Sequence, residues 1–172
     1  MVDSCRGESL GEKLEKIVPV LHNVYSPQKV LEAARTTYGL GYKLFVVTKA
    51  SGSAAQAGVP EAQKMALRLG KGFLYLASID DVLEIFRPEL VLTVAPPPYA
   101  EKPLNVEDVT LSSAKDYVVV VFGGSEPGLS RRELEKGVSV YPPGLPGDIG
   151  SIGLLAITLY LIKQALDDPH SG

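Results

Sequence analysis

Tyr117-Val118-Val119-Val120-Val121-Phe122-Gly123-Gly124-Ser125-Glu126-Pro127-Gly128-Leu129-Ser130 joins the most apolar run of the chain to a glycine-rich loop. Five of the six residues in Tyr117–Phe122 are valine or phenylalanine, side chains that favour strands. The run is unbroken rather than alternating, so the strand is expected to be covered on both faces. Three glycines and an acid then fall within the six residues Gly123–Gly128. Glycine admits close approach to backbone amides, so this loop reads as a functional loop rather than a plain turn. It is not a P-loop, because no Gly-Lys-Ser/Thr follows, and its spacing is not that of the dinucleotide fingerprint.

Working outward, strand-like and helix-like segments alternate. Ile17–Val24 is a short apolar run ending at Ser26-Pro27, where Ser26 can cap a helix with Pro27 in its first position. That helix is predicted through Val30, Leu31, Ala34 and Tyr38, stopping at Gly39-Leu40-Gly41. Lys43–Thr48 reads as a buried strand, and Ala50–Gly58 as a Gly/Ser/Ala-rich stretch. Pro60 opens a helix ending at Gly70, Phe73–Ala77 is a strand, and Ser78 or Asp80 caps a short helix to Phe86. Leu90–Ala95 is a further strand. Residues 96–115 lack periodicity and read as an irregular excursion, and residues 1–16 as a polar N-terminal segment. Beyond the loop, Ser130–Lys136 is a short helix, Val138–Tyr141 a short strand and Leu154–Leu166 a last helix. The pattern predicts one α/β domain over residues 1–172, with a mainly parallel sheet and helices on both faces. Ligands in such sheets sit beyond the carboxyl ends of the strands.

Composition narrows the functional classes. The 172 residues are 45% hydrophobic, enough for a sizeable core, and carry a formal net charge of -3. An acidic chain lacks the broad basic surface that usually draws nucleic acid, so any such binding needs a local patch or a second subunit. The single cysteine, Cys5, cannot close an internal disulfide and reads as an incidental thiol. The opening is too polar for a signal peptide, and the longest apolar run, Gly153–Ile162, is far short of the roughly 20 residues of a membrane span. The expectation is a cytoplasmic protein without membrane contact. No Cys/His cluster has metal-ligand spacing.

A second loop, Tyr141-Pro142-Pro143-Gly144-Leu145-Pro146-Gly147-Asp148-Ile149-Gly150-Ser151-Ile152-Gly153, follows an irregular path set by proline and glycine. It leads into a helix apolar on nearly every face down to Ile162, which reads as core or as core plus a subunit interface.

Three segments together resemble the SPOUT class of RNA methyltransferases, its SpoU/TrmH-like branch in particular. Ser26-Pro27-Gln28-Lys29-Val30-Leu31-Glu32-Ala33-Ala34-Arg35-Thr36-Thr37-Tyr38-Gly39 is similar to its first motif, Val121–Ser130 to its second and Val138–Leu161 to its third. The chain departs from these motifs at Lys29, where Asn is usual, and at Leu31, where Gly is usual. Glu126 and Gly128 stand one residue closer than usual. The third motif lacks its Asn, with Gly150 and Ser151 in that region.

The resemblance implies a C-terminal trefoil knot, a homodimer, S-adenosylmethionine as cofactor, and tRNA or rRNA as partner. It implies cofactor contacts from Ala95, Pro96, Phe122, Gly123, Gly124, Gly128, Tyr141, Pro142, Ile149, Gly150, Ser151 and Gly153. Arg35 matches the family's catalytic arginine: a cation beside an attacking ribose hydroxyl favours the developing alkoxide. The plainer reading of Arg35 is an exposed helix residue paired with Glu32. Glu126 matches the family's Glu, with a helix cap near Ser130 as its plainer role. His22 and Asn23, at the end of the first strand, are candidate substrate contacts, and Arg131 and Arg132 a candidate basic patch. Two other readings stand: a non-catalytic SPOUT-fold binding protein, and an unrelated doubly wound hydrolase or nuclease. The sequence shows no clustered carboxylates for two-metal chemistry, since Asp80-Asp81 reads as a helix cap and Glu107-Asp108 as a loop.

Overall fold

The computed structural model describes residues 7–168, so Cys5 lies outside the described residues. The chain runs through α1 (Leu10–Leu14), β1 (Ile17–Val24), α2 (Pro27–Gly39), β2 (Leu44–Ala50), α3 (Val59–Leu69), β3 (Gly72–Leu76) and α4 (Ile79–Phe86). It continues through β4 (Leu90–Val94), β5 (Lys102–Pro103), α5 (Val106–Ser113), β6 (Val118–Gly123), α6 (Arg131–Leu134), β7 (Val138–Tyr141) and α7 (Ser151–Asp167). Every strand pairing is parallel, in the order β3-β2-β1-β6-β4-β7-β5. The expected α/β class and parallel sheet are borne out.

Alternation explains the valine run. Val118, Val120 and Phe122 point into the larger core, beneath α2, α3, α5 and α7. Val119 and Val121 point to the opposite face with Val18, Val20 and Val46, under Ile79 and Val82 of α4 and Leu134 of α6. Residues β6 118–122 are all buried, so neither face needs polar residues. Burying each such side chain stabilises the fold by roughly 1.5–3 kcal/mol. The larger core is pinned by two tyrosines: Tyr42 Oη donates to the Leu159 carbonyl at 2.6 Å, and Tyr38 Oη to the Gly72 carbonyl at 2.7 Å. Burial raises both phenols above their ordinary value.

Local signals set most element ends. Ser26 Oγ accepts from Lys29 N with Pro27 in the first turn, and Gly70 ends α3 with φ 66°. Three segments depart from the sequence expectation. The polar N-terminus contains α1, closed by a reciprocal Ser9/Glu12 capping box and anchored by buried Leu14. The excursion 96–115 contains β5 and α5; Asn105 caps α5, which buries only Val109 and Ser113, too few to show a period. Within the Ala50–Gly58 stretch, Ala54–Gly58 forms a π-helical turn running into α3. Helix α7 also starts three residues before the expected Leu154, at Ser151, with Gly150 (φ 82°) as its cap.

The sheet topology places the site. The connection from β1 leads to β2 on one side, and that from β6 leads past β4 to β7 on the other. Such a reversal opens a crevice at the carboxyl ends of the strands. Because β5 lies beyond β7 from β4, residues 95–101 cross the end of β7. Among the described residues no helix is long and apolar enough to cross a membrane.

Candidate functional site

The carboxyl ends of β4 and β6 and the start of α7 enclose a cleft of about 250 Å³. Its walls are mostly apolar: Val94, Ala95, Pro96, Phe122, Leu129 and Leu154. The loop Ser125–Ser130 closes one side, and Tyr99, Asp148 and Ser151 the other. The loop keeps its shape because a Cβ on Gly123 would stand 2.9 Å from the backbone of Gly128 and Leu129, which only glycine permits. Gly124 packs equally tightly beneath the loop, where a Cβ would stand 2.7 Å from Val24 Cβ. Gly128 differs: its φ is 101°, it lines the cleft, and a Cβ there would meet open space. Bare backbone in an apolar cleft suits a ligand read by a few directed polar groups.

Of the expected cofactor contacts, Ala95, Pro96, Phe122, Gly123, Gly128 and Ser151 line this cleft together with Glu126. Gly124 lies underneath it, while Tyr141, Pro142, Ile149, Gly150 and Gly153 flank the cleft without lining it. Gly150 has a supporting role, since its N–H donates to Asp148 Oδ1 at 2.8 Å. Leu129 and Asp148 belong to the two loops marked in the sequence without being singled out there, and Tyr99 comes from the segment read as an irregular excursion.

A second cleft of about 270 Å³ opens further along the same edge, around the ends of β1 and β2. His22, buried at 4% exposure, sits between Thr48 Oγ1 (2.7 Å from Nδ1) and Glu133 Oε1 (3.0 Å from Nε2). A neutral ring with its proton on Nε2 satisfies both contacts, donating to the carboxylate and accepting from the hydroxyl. Burial lowers the His22 pKa below 6.5; Glu133 opposes this, while Lys49 and Lys136 add to it. Burial alone would raise the Glu133 carboxyl, but the Ser130 N–H and His22 hold it below its ordinary value. The residues that follow His22 and Thr48, Asn23 and Lys49, both adopt left-handed backbone, with φ 63° and 52°. Asn23 Nδ2 donates to Ser125 Oγ at 3.3 Å, and its buried Oδ1 has no partner among the described residues.

The remaining expected residues are dispersed. Arg35 is exposed on α2, in a shallow groove with Pro27, Gln28, Leu31 and Glu32, and does not line the cleft. The expected pairing with Glu32 is not made; Gln28 donates to Glu32 instead, at 3.4 Å. Glu126 is not the cap of α6: Ser130 fills that role, exchanging hydrogen bonds with Glu133 in a reciprocal box. Arg131 and Arg132 do not form one patch, because successive helix positions diverge by about 100°. Arg131 lines the first cleft and pairs with Glu135 at 3.2 Å, whereas Arg132 lines the second.

Residues 52–161 match the family described as RecB-family nuclease (DUF2122). The chain belongs to this family. A protein of Aeropyrum pernix, named as a candidate type II restriction enzyme, is 42% identical over 153 residues, covering 89% of this chain and 96% of that one. One of Methanocaldococcus jannaschii, named likewise, is 40% identical over 153 residues, covering 89% and 100%. Solved structures share the fold at lower identity. A candidate methylase family protein of Neisseria gonorrhoeae has a TM-score of 0.73 at 16% identity, covering 95% of this chain and 89% of that one. The SpoU methyltransferase AviRb of Streptomyces viridochromogenes, solved with AdoMet, has a TM-score of 0.65 at 12% identity, covering 95% and 61%. The A. aeolicus TrmH/SpoU tRNA modifying enzyme has a TM-score of 0.62 at 18% identity, covering 90% and 79%. The fold of this chain is therefore that of the SpoU/TrmH methyltransferases, as its motifs suggested.

Proposed function

We propose that this protein is an S-adenosylmethionine-dependent RNA methyltransferase of the SPOUT class, cytoplasmic and homodimeric, acting on ribose 2′-hydroxyls of tRNA or rRNA. The observation that carries the reading is the first cleft. It gathers residues from the ends of β4 and β6 and from the segments that resemble the second and third motifs, and it offers apolar walls beside the bare backbone of Gly123 and Gly128. That donor set fits an adenosyl group, whose edge is read by backbone N–H and C=O and whose faces want apolar cover. The cofactor would supply an electrophilic methyl group. Phe122, Leu129 and Leu154 exclude water from it, and Glu126 and Arg131 stand at the rim to meet an acceptor. The knot belongs to the same proposal, with residues 142–167 threaded past the 95–101 crossing.

Arg35 lies eight residues beyond Pro27, about 12 Å down α2 from the sheet edge at 1.5 Å per residue. A role for it in the transfer therefore requires a second copy to present it, so the arginine and the dimer stand or fall together. Exposed Ile157 and Tyr160 on the outer face of α7 suit burial between two copies.

The family description suggests nuclease chemistry, which in two-metal form needs converging carboxylates. Among the described residues no group of three His, Cys, Asp or Glu side chains could hold a metal ion. Asp80 is bonded to Lys136 at 2.6 Å, and Glu133 to His22. The residues present do not fit a metal-dependent nuclease centre.

Calorimetric titration with S-adenosylmethionine tests the reading, followed by transfer of labelled methyl to bulk RNA. Expected are binding, RNA labelling and loss of labelling in Arg35→Ala. Absence of binding, or cleavage of duplex DNA by the purified chain with magnesium, overturns it.

A further inference from the structure

The second cleft is built differently from the first and holds chemistry that methyl transfer does not use. Three cations face it, Lys49, Arg132 and Lys136, against two carboxylates, Asp80 and Glu133. Both carboxylates are already engaged: Asp80 by Lys136, and Glu133 by His22 and by the Ser130 N–H at 2.6 Å. Lys49 and Arg132 are in no ion pair among the described residues. The hydroxyls of Ser78 and Ser130 also line the cleft; each oxygen accepts one helix N–H, from Asp81 and Glu133, which leaves its hydrogen to donate. In a chain of net charge -3, a concave site with two unpaired cations and two free hydroxyl donors selects an anion.

The backbone supports the same conclusion. Lys49 is held in left-handed conformation beside left-handed Asn23, directly after the paired residues His22 and Thr48. Such conformations persist where the surroundings over-determine them, and they cluster where a side chain must be aimed. The His22–Glu133 contact fixes α6, and with it Arg132, against the end of β1.

We infer that this cleft is a phosphate site, with Lys49 and Arg132 as its charged donors and Ser78 and Ser130 as its hydroxyl donors. A guanidinium fork, an ammonium and two hydroxyls together match the several acceptor oxygens of a phosphate better than the two of a carboxylate. The phosphate comes either from a free nucleotide or from a polynucleotide backbone. Ser130 lines both clefts, so a strand with one phosphate here passes its neighbouring nucleotide toward the first. The site stands on its own residues and does not depend on the methyl-transfer reading.

The test is a nuclear magnetic resonance titration of the full chain with inorganic phosphate, a 5′-mononucleotide and a short single-stranded oligoribonucleotide. Phosphate is expected to move the amide signals of Lys49, Ser130 and Arg132. The double variant Lys49→Gln/Arg132→Gln is expected to weaken phosphate binding at least about tenfold. It should also lower the salt slope of oligonucleotide binding by roughly 2, with unchanged melting temperature and unchanged affinity for S-adenosylmethionine. Oligonucleotide binding tighter than mononucleotide binding identifies a backbone phosphate, and the reverse identifies a free nucleotide. Shifts confined to the first cleft, no shifts with any of the three probes, or equal affinity in the double variant overturns the site. Loss of S-adenosylmethionine binding in the wild type would sink the methyl-transfer reading alone.

Discussion

The two clefts share one sheet edge and one residue, Ser130, yet they are opposites in construction. The first is walled by apolar side chains and shaped by glycines from contiguous loops. The second is charged, and draws one residue each from β1 and β2 and two each from α4 and α6. The first depends on what is absent, since side chains on Gly123 and Gly124 would collide with neighbouring atoms. The second depends on what is present, a buried His–Glu contact holding α6 in place. Shape and charge are thus separable here, and substitutions can attack either one alone.

The largest effect is expected from Gly123→Val. Its side chain must displace the backbone of Gly128 and Leu129, which destabilises by about 1–3 kcal/mol or more and collapses the first cleft. Thermal unfolding and ligand titration would both register it. Survival of cofactor binding would show that the loop is not the wall we describe. Next comes Glu133→Ala, which removes the α6 capping box and leaves His22 Nε2 without its acceptor, at a cost of about 1–3 kcal/mol. Measured by denaturant unfolding, the loss should fall mainly on the second cleft. An undiminished midpoint would mean the contact is incidental.

Acidification is expected to have a smaller effect. The folded-state pKa of His22 is below its unfolded value, so the unfolded chain takes up the proton first, and this contribution to stability is lost as pH falls from about 6.5. Glu133 is also depressed, so its contribution is present above its unfolded pKa and is lost at lower pH still, as pH falls through its folded value. Melting temperature should therefore drop on acidification, and His22→Gln should flatten the upper part of that drop. A variant curve parallel to wild type would remove His22 as the cause. Smallest is Arg131→Ala: its ion pair with Glu135 is surface-exposed, so melting temperature should not change. A measurable fall would show that the first cleft's rim is also structural.

The first cleft was largely legible in the sequence and the second was not. Gly123, Gly128, Ala95, Pro96, Phe122 and Ser151 lie in or beside loops whose glycine and proline content marks them. His22 and Arg132 stood out only as isolated candidates, Ser78 only as a helix cap, and Lys49 not at all. The expected Arg131–Arg132 patch failed for a geometric reason, because adjacent helix residues face different clefts. Arg35 was picked by motif, but its place on α2 puts it outside the cleft of its own chain.

The sequence by itself determined the parallel sheet, the alternation of its longer strands and helices, and the glycine loop after β6. Those follow from hydrophobic continuity, capping residues and glycine, which act over a few residues. Tertiary structure alone decided that His22, Thr48 and Glu133 meet, and that Asp80 is held by Lys136. Those meetings join residues as much as 111 apart, and they depend on how α4 and α6 pack across the sheet, which no local pattern encodes.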